Sequence, residues 1–295
     1  MACLNVLVTG SLSAHDLDRV VIVKSSENEY FQQTIDALVD SSGQRLDYRV
    51  IGLDELERQA SSGITEKSLL ITLGMPATTR VAERFPDQPL LSAYATREQM
   101  TRFGNPRKNH IAVLLDQPLG RYLALGALMI DSRKPAIINR SLVELDSKQM
   151  AQLGRLGISL SQYVLEGSQS LPATIRLLEG HHDSLLILPD SRLYNRDTLK
   201  GVLLSAYRVH LPIISYSPAH VKSGALASIY SSPRDIGRHL AALLPEINRK
   251  HDNLGKALRF ARYFSLTTNE RVAYSLGLDL TDPETVTRRL EEIEK

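Results

Sequence analysis

The stretch Ser184-Leu185-Leu186-Ile187-Leu188-Pro189-Asp190-Ser191 decides the fold class. It contains a short run of consecutive apolar residues, which ends at a proline and an aspartate. A strand that is apolar on both faces is typical of a parallel sheet covered by helices on both sides. Ile111-Ala112-Val113-Leu114-Leu115 has the same character. The sequence therefore predicts α/β architecture with parallel sheets.

Outward from this stretch, predicted strands alternate with amphipathic helices along the chain. The strands are expected at 19–23, 47–53, 69–73, 90–95, 110–115, 135–139, 158–164, 184–188, 212–216, 224–230 and 261–266. The alternation breaks at Asp116-Gln117-Pro118 and then resumes. Two series of βα units separated by a break predict two doubly wound, Rossmann-like lobes.

Composition excludes several classes of protein. The 295 residues are 43% hydrophobic and 23% charged, which is enough apolar material for a packed core and argues against general disorder. The formal charge of +2 lacks the basic excess of a dedicated nucleic-acid binder, so no nucleic-acid partner is expected. Cys3 is the single cysteine, which excludes an intramolecular disulfide and a cysteine-based zinc site.

The N-terminus has features of an export signal. Residues 2–8 are apolar apart from Asn5, and Ser11-Leu12-Ser13-Ala14 resembles the small residues before a signal-peptidase cleavage site. No Lys or Arg precedes the apolar run, so we interpret residues 1–15 as a signal-peptide remnant. The alternative is that residues 5–8 form the first strand of a cytosolic protein.

Common catalytic and cofactor motifs are missing from the sequence. It contains no Gly-x-Gly-x-x-Gly, no P-loop, no Gly-x-Ser-x-Gly elbow and no His-Glu-x-x-His. His181-His182-Asp183 lies between a predicted helix and a predicted strand, where a polar connecting loop is expected, and adjacent histidines converge poorly on one metal. We therefore predict no catalytic residues, no metal site and no cofactor.

The candidate ligand-binding residues follow the predicted strands, because ligands of doubly wound folds bind at the carboxyl ends of the strands. These loops are rich in hydroxyl, amide and aromatic side chains, which hold small polar ligands by hydrogen bonds and ring contacts. The alternative for each Ser and Thr is that it only caps a helix. The candidates are Ser25, Ser26, Tyr30, Thr78, Thr79, Tyr94, Gln117, Asp190, Tyr194, Asn195 and Tyr216.

Three segments carry a resemblance to a known family. They are Leu188-Pro189-Asp190-Ser191, the Gly-Ala-Leu-Ala of residues 224–227, and residues 269–278 with their Asn-x-x-x-Ala-x-x-Leu-Gly-Leu pattern. In this order they resemble the type I periplasmic substrate-binding proteins of ABC transporters, in the branch related to tryptophan- and tyrosine-binding proteins. The second half of the chain carries most of the resemblance.

The resemblance implies two lobes joined by a three-crossing hinge, with one lobe at 16–116 plus 228–255 and the other at 117–227 plus 256–295. It implies a monomeric periplasmic protein that captures a small polar solute, such as an amino acid, in the inter-lobe cleft for an ABC permease. Asp190 and Asn195 would meet an amine or hydroxyl of this solute. Ser25, Ser26, Thr78 and Thr79 would hold its other polar end, and the tyrosines would pack its body.

Two alternatives remain open at the sequence level. The first is a periplasmic accessory protein of the same fold that signals to a kinase or a membrane receptor. The second is a two-lobed α/β transferase or isomerase in which Glu27, Glu29, Asp116 and Asp190 supply acid-base groups. The second alternative lacks a convergent base and nucleophile pair.

Overall fold

The computed structural model describes residues 19–43, 46–58, 63–65, 67–104, 109–167, 169–250 and 254–294. The expected signal-peptide remnant at residues 1–15 lies outside these residues, as does the alternative strand at 5–8.

Strands and helices alternate through most of the described chain. The first series is β1 (Arg19–Lys24), α1 (Glu29–Ser41), β2 (Asp47–Gly52), α2 (Leu53–Arg58), β3 (Ser68–Leu73), α3 (Met75–Arg84), β4 (Leu90–Ala95), α4 (Arg97–Phe103) and β5 (His110–Leu114). The second series is α5 (Leu119–Ile130), β6 (Pro135–Asn139), α6 (Ser147–Leu156), β7 (Ser161–Val164), α7 (Leu171–Arg176), β8 (Ser184–Leu186), α8 (Arg196–Arg208), β9 (Ile213–Ser215), α9 (Pro218–Lys222) and β10 (Ala227–Tyr230). The chain ends with α10 (Pro233–Lys250), β11 (Lys256–Phe260), β12 (Ser265–Thr268), α11 (Glu270–Leu276) and α12 (Pro283–Ile293).

The two six-stranded sheets have the same strand pattern. The first sheet has the order β11-β5-β4-β3-β1-β2, and the second has the order β12-β10-β9-β8-β6-β7. In the first sheet β1 pairs in parallel with β2 and β3, and β3 with β4. In the second sheet the pairs from β7 through β10 are parallel, and β12 runs antiparallel to β10. The predicted α/β fold class with parallel-dominated sheets is confirmed.

The chain divides into two compact units, Met1–Val113 with Gly237–Arg259 and Leu114–Ile236 with Phe260–Lys295. The chain thus passes from one unit to the other three times. The limits differ from those expected from the sequence. Residues 228–236 belong to the second unit because β10 pairs with β9, and residues 256–259 belong to the first because β11 lies beside β5.

The predicted strand at 261–266 is wrong. The structure has two shorter strands instead, of which β11 joins the first sheet and β12 joins the second. The apolar residues of this segment do not show that the chain passes from one sheet to the other between β11 and β12. That depends on their partner strands β5 and β10, which lie elsewhere in the sequence.

The cores explain why the strands are apolar at consecutive positions. In the second unit Ile137, Leu186 and Ile214 pack on one side of the sheet with residues of α5 and α12. Their neighbours Ile138 and Leu185 pack on the other side with residues of α7 and α8. In the first unit β3 is buried along its whole length. No described helix combines the length and the apolar character that a membrane span requires.

Candidate functional site

In both units the sequence candidates lie in the loops at the carboxyl ends of the parallel strands or in the strand or helix turns that border these loops. We call these segments the strand-end loops. A ligand needs polar atoms that the protein itself does not already bind. The hydrogen bonds of each candidate therefore decide how well it is suited to ligand binding.

In the first unit, Ser25 completes the N-terminus of α3. Gly74 precedes this helix and offers no capping side chain. The Ser25 hydroxyl, which follows β1, accepts a hydrogen bond from the backbone N–H of Ala77 at 2.9 Å. The first turn of a helix has N–H groups without a partner in the helix. Ser25, which follows the neighbouring strand β1, accepts a hydrogen bond from one of them. On the same loop Ser26 accepts a bond from the Asn28 amide at 3.2 Å.

Thr78 lies inside the first unit. Its side chain is fully buried, and its hydroxyl lies 2.8 Å from that of Thr72 and donates to the Gly74 carbonyl at 2.9 Å. The hydrogen-bonding capacity of Thr78 is therefore used within the protein. Thr79, the next residue of α3, is half-buried.

Tyr94 is also held by internal contacts. Its backbone has a φ of 64°, an uncommon value for a residue other than glycine. Its hydroxyl lies 2.5 Å from that of Thr34, and its ring meets Phe31 edge-on with centroids 4.9 Å apart. Burial raises the pKa of Tyr94 to about 12. Tyr30, in the first turn of α1, is 66% exposed.

In the second unit, Gln117 belongs to a buried network. Its amide donates to Ser231 at 2.9 Å, and its carbonyl oxygen accepts from Arg121. The Arg121 guanidinium also binds both carboxylate oxygens of Glu294, at 2.5 and 2.6 Å, and lies over the ring of Phe264. The network joins the segment before α5 to the end of α12, so the side chain of Gln117 supports the fold.

Asp190 follows β8 and keeps one oxygen free of hydrogen bonds to described residues. Its Oδ1 accepts from the backbone N–H groups of Arg192 at 2.9 Å and Leu193 at 3.3 Å. The side chain is 17% exposed, and the Arg192 guanidinium approaches Oδ1 only to 3.9 Å. A partly exposed carboxylate with an available oxygen is suited to a donor group on a ligand.

Two tyrosines accompany Asp190. Tyr194 is almost completely buried, and its hydroxyl donates to the Ile138 carbonyl at 2.7 Å. Tyr216, after β9, is half-buried, and its hydroxyl donates to the Tyr194 carbonyl at the long distance of 3.5 Å. Burial and then the Asp190 carboxylate raise the pKa of both phenols. The structure therefore brings these three candidates together, and we call Asp190, Tyr194 and Tyr216 the Asp190 cluster.

Asn195 lies next in the sequence but has a different role. Its carbonyl oxygen accepts from the backbone N–H groups of Asp197 and Thr198 at the start of α8, at 3.0 and 3.1 Å. Its amide donates to the Ser191 carbonyl at 3.1 Å. Asn195 is the N-cap of α8, whereas the sequence predicts it as a ligand contact.

Two residues near the cluster are not among the sequence candidates. The ring of His220 meets Tyr216 edge-on at 4.8 Å, and its Nδ1 lies 2.6 Å from the hydroxyl of buried Ser215. Burial lowers the pKa of His220, so the neutral ring that supports Tyr216 is favoured. Tyr122 of α5 is fully buried. Burial, the charge of Asp116 and the Tyr216 phenol raise its pKa.

The arrangement is suited to binding a donor group. The free oxygen of Asp190 attracts an ammonium or hydroxyl, and phenol rings favour a nearby cation. Ser215 and His220 form a hydrogen-bonded pair, but Ser215 has no exposed surface. Within the described residues, no group of three or more His, Cys, Asp or Glu side chains is placed to hold a metal ion.

Comparison with solved structures identifies the fold. No protein-family model matches the chain, and no curated protein matches it. The structure is similar to a ligand-free, open substrate-binding protein with adhesive properties from Clostridium difficile, with a TM-score of 0.65, 16% identity, 90% of this chain covered and 97% of the other. The fold is that of a type I periplasmic binding protein.

A second solved structure with this binding-protein fold is an ABC domain from Streptococcus pneumonia in complex with L-Trp. It matches with a TM-score of 0.51 and 15% identity, covering 92% of this chain and 97% of the other. At this identity the likeness concerns the fold. The resemblance seen in the sequence is confirmed at that level, and the two sheets with their helices correspond to the two lobes it implies.

Proposed function

We propose that the protein binds a small solute that carries a protonated amine or a hydroxyl, and that the Asp190 cluster contacts this group. The observation that carries the proposal is the available oxygen of Asp190 beside Tyr194 and Tyr216. A carboxylate binds a donor by a charge-assisted hydrogen bond, and the partly exposed Tyr216 offers a ring face to the ligand body.

An amino acid is the solute class that we propose first. It carries an ammonium for Asp190, and its side chain supplies the body that packs on Tyr216. The S. pneumonia protein of the same fold binds L-Trp, which supports this class. In this proposal four of the other candidates hold the conformation of the loops and do not contact the solute, because their hydrogen bonds are made within the protein. They are Ser25, Thr78, Gln117 and Asn195.

The cellular setting that we propose is the periplasm, with the protein delivering its solute to an ABC permease as a monomer. The fold shared with substrate-binding proteins supports this setting. A sensory protein of the same fold would bind its solute in the same way. The two roles differ in the membrane partner, which is an ABC permease for transport and a kinase or receptor for signalling.

The test is a thermal-shift screen against amino acids, amines, sugars, nucleosides and small carboxylates. A ligand present at about 100 times its Kd adds about 2.7 kcal/mol to the stability of the folded protein, which is a shift of several degrees. We expect a saturable hit among amino acids or amines. Asp190→Asn should then weaken binding by about 10- to 100-fold, because it removes a charged partner of the hydrogen bond.

The matched control is Asp279→Asn, which removes one negative charge from an exposed position of the same unit. This variant should bind like the unaltered protein. A panel without any saturable hit would contradict the solute-binding proposal. A hit with the same Kd in all three proteins would place the ligand away from Asp190.

A further inference from the structure

A concave surface lies on the second unit, formed mainly by α8. We call it the α8 groove, and its volume is about 620 Å³. It is lined by Arg196, Leu199, Lys200, Leu203, Leu204 and Tyr207 of α8, by Ser223 and Gly224 after α9, and by Val272 of α11. None of these residues belongs to the Asp190 cluster.

The six α8 residues form one stripe along the helix. Their spacing of 3, 1, 3, 1 and 3 residues places them on a single face of an α-helix. Leu204 is 45% exposed and Tyr207 is 49% exposed. Val202, Leu203 and Ala206 pack into the core of the unit, so Leu203 forms the floor of the groove. The apolar surface of α8 thus extends from the core out to the exposed Leu204 and Tyr207, and the groove above them has room for another element.

The groove is basic at the end where α8 begins. Arg196 and Lys200 are exposed, and neither makes an ion pair with a described residue. The lining contains no carboxylate. Asp197, in the first turn of α8, offsets the partial positive charge of the helix N-terminus but does not line the groove. An occupant with carboxylates at this end would complement the surface.

The same charges argue against a second copy of the chain as the occupant. Two α8 helices that pack along their length across a two-fold axis run close to antiparallel or close to parallel. Antiparallel helices centred on the stripe place Arg196 opposite Tyr207 and Lys200 opposite Leu203 and Leu204 of the second copy, and parallel helices place each cation near its equivalent. The parallel arrangement brings like charges together, and the antiparallel one buries unpaired cations against apolar side chains; both are unfavourable.

We propose that the α8 groove docks an amphipathic helix of a partner protein, with carboxylates on the partner helix meeting Arg196 and Lys200. The stripe extends over three turns, about 17 Å, which matches the helix-in-groove mode with apolar anchors at i, i+3, i+4 and i+7. This surface does not depend on solute binding at Asp190.

The test uses a fluorescein-labelled synthetic helix of about 16 residues, with leucines at i, i+3, i+4, i+7 and i+11 and glutamates flanking them. One comparison peptide replaces the glutamates by lysines, and another scrambles the order of the acidic peptide. Fluorescence anisotropy with the full chain should show saturable binding of the acidic helix. Both comparison peptides should bind at least about tenfold more weakly.

Variants of the groove locate the binding. Leu204→Glu should reduce the affinity for the acidic peptide by at least about tenfold, because it places a charge at the centre of the apolar stripe. Arg196→Glu combined with Lys200→Glu should reverse the preference in favour of the lysine peptide. Leu177→Glu is the matched control, because Leu177 is 72% exposed in the same unit but does not line the groove. Thermal unfolding of each variant checks that it is folded.

Three results would overturn the proposal. Equal binding of all peptides, or no saturable binding, would remove the helix preference. A dimer seen by light scattering and lost in Leu204→Glu would assign the groove to self-association. Tighter binding of 11-(dansylamino)undecanoic acid, with displacement of the peptide, would assign it to anionic amphiphiles.

Discussion

The loop after β3 and the loop after β8 occupy equivalent places in the two sheets. They differ in how many of their polar side-chain atoms are hydrogen-bonded within the protein. After β3, the hydroxyl of Thr78 bonds within the unit and the N-terminus of α3 is bonded by Ser25. After β8, one oxygen of Asp190 accepts hydrogen bonds from its own loop, and the other oxygen makes no hydrogen bond to a described residue. The difference teaches that a position at a strand end does not make a residue a ligand contact, whereas an unused polar atom there is a specific reason to consider it.

Tyr94 and Tyr216 repeat this contrast one strand further along each sheet. The hydroxyl of Tyr94 makes a short bond to Thr34, and its ring is backed by Phe31. Tyr216 is backed by His220 in a similar edge-on contact, but its hydroxyl makes only a long bond. The Tyr94 hydroxyl is thus used within the first unit, whereas the Tyr216 hydroxyl is able to form a further hydrogen bond with a ligand.

The largest effect on stability is expected at Gly74. Gly74→Ala should reduce the free energy of unfolding by about 2–4 kcal/mol, because φ is 95° and the new Cβ would lie 2.7 Å from the Ser25 hydroxyl. The measurement is urea-induced unfolding. Gly157→Ala is the control, since its φ is 62° and no atom would lie within 4 Å, so about 1 kcal/mol is expected. Equal costs would show that the contact with Ser25 is unimportant.

An intermediate effect is expected at Thr78. Thr78→Val should reduce the free energy of unfolding by about 1–3 kcal/mol, because the buried hydroxyl of Thr72 loses its partner. The double variant Thr72→Val, Thr78→Val should recover part of this loss, since both hydroxyls are then replaced. Ligand affinity should be unchanged in both variants. A double variant that costs the sum of the two single changes would contradict a coupled pair.

The smallest effect on stability is expected at Asp190. Asp190→Asn should change the free energy of unfolding without ligand by less than about 0.5 kcal/mol, because the amide oxygen can still accept from Arg192 and Leu193. Urea unfolding of the ligand-free protein measures this. A loss as large as that of Thr78→Val would show that Asp190 is a structural residue, and the contrast between the two loops would disappear.

Much of the fold could be predicted from local patterns. The apolar run that contains β8 predicted a strand covered on both faces, and its neighbours Leu185 and Leu186 do pack on opposite sides of the sheet. The error at 261–266 arose because strand pairing is a long-range property. The limits of the two units differ from the expected ones for the same reason, since β10 and β11 each belong to the sheet that contains their partner strand.

The candidate site was harder to predict. Asp190, Tyr194 and Tyr216 follow strands, so the sequence could select them, and the structure brings them together. Tyr122 and His220 lie in helices, so the rule that ligands bind at the carboxyl ends of strands does not select them. The single available signal for Tyr122 was its place in the first turns of the helix that follows the break at Asp116-Gln117-Pro118.

The sequence by itself determined that the chain forms parallel sheets in two series, because the period of apolar residues depends only on neighbours along the chain. It also placed polar residues at the strand ends. Only the tertiary structure decided which of those residues are used internally. Ser25 bonds to a residue 52 positions away, and the Tyr194 hydroxyl bonds to one 56 positions away. Such bonds depend on how strands and helices come together in space, which the local pattern of residues does not contain.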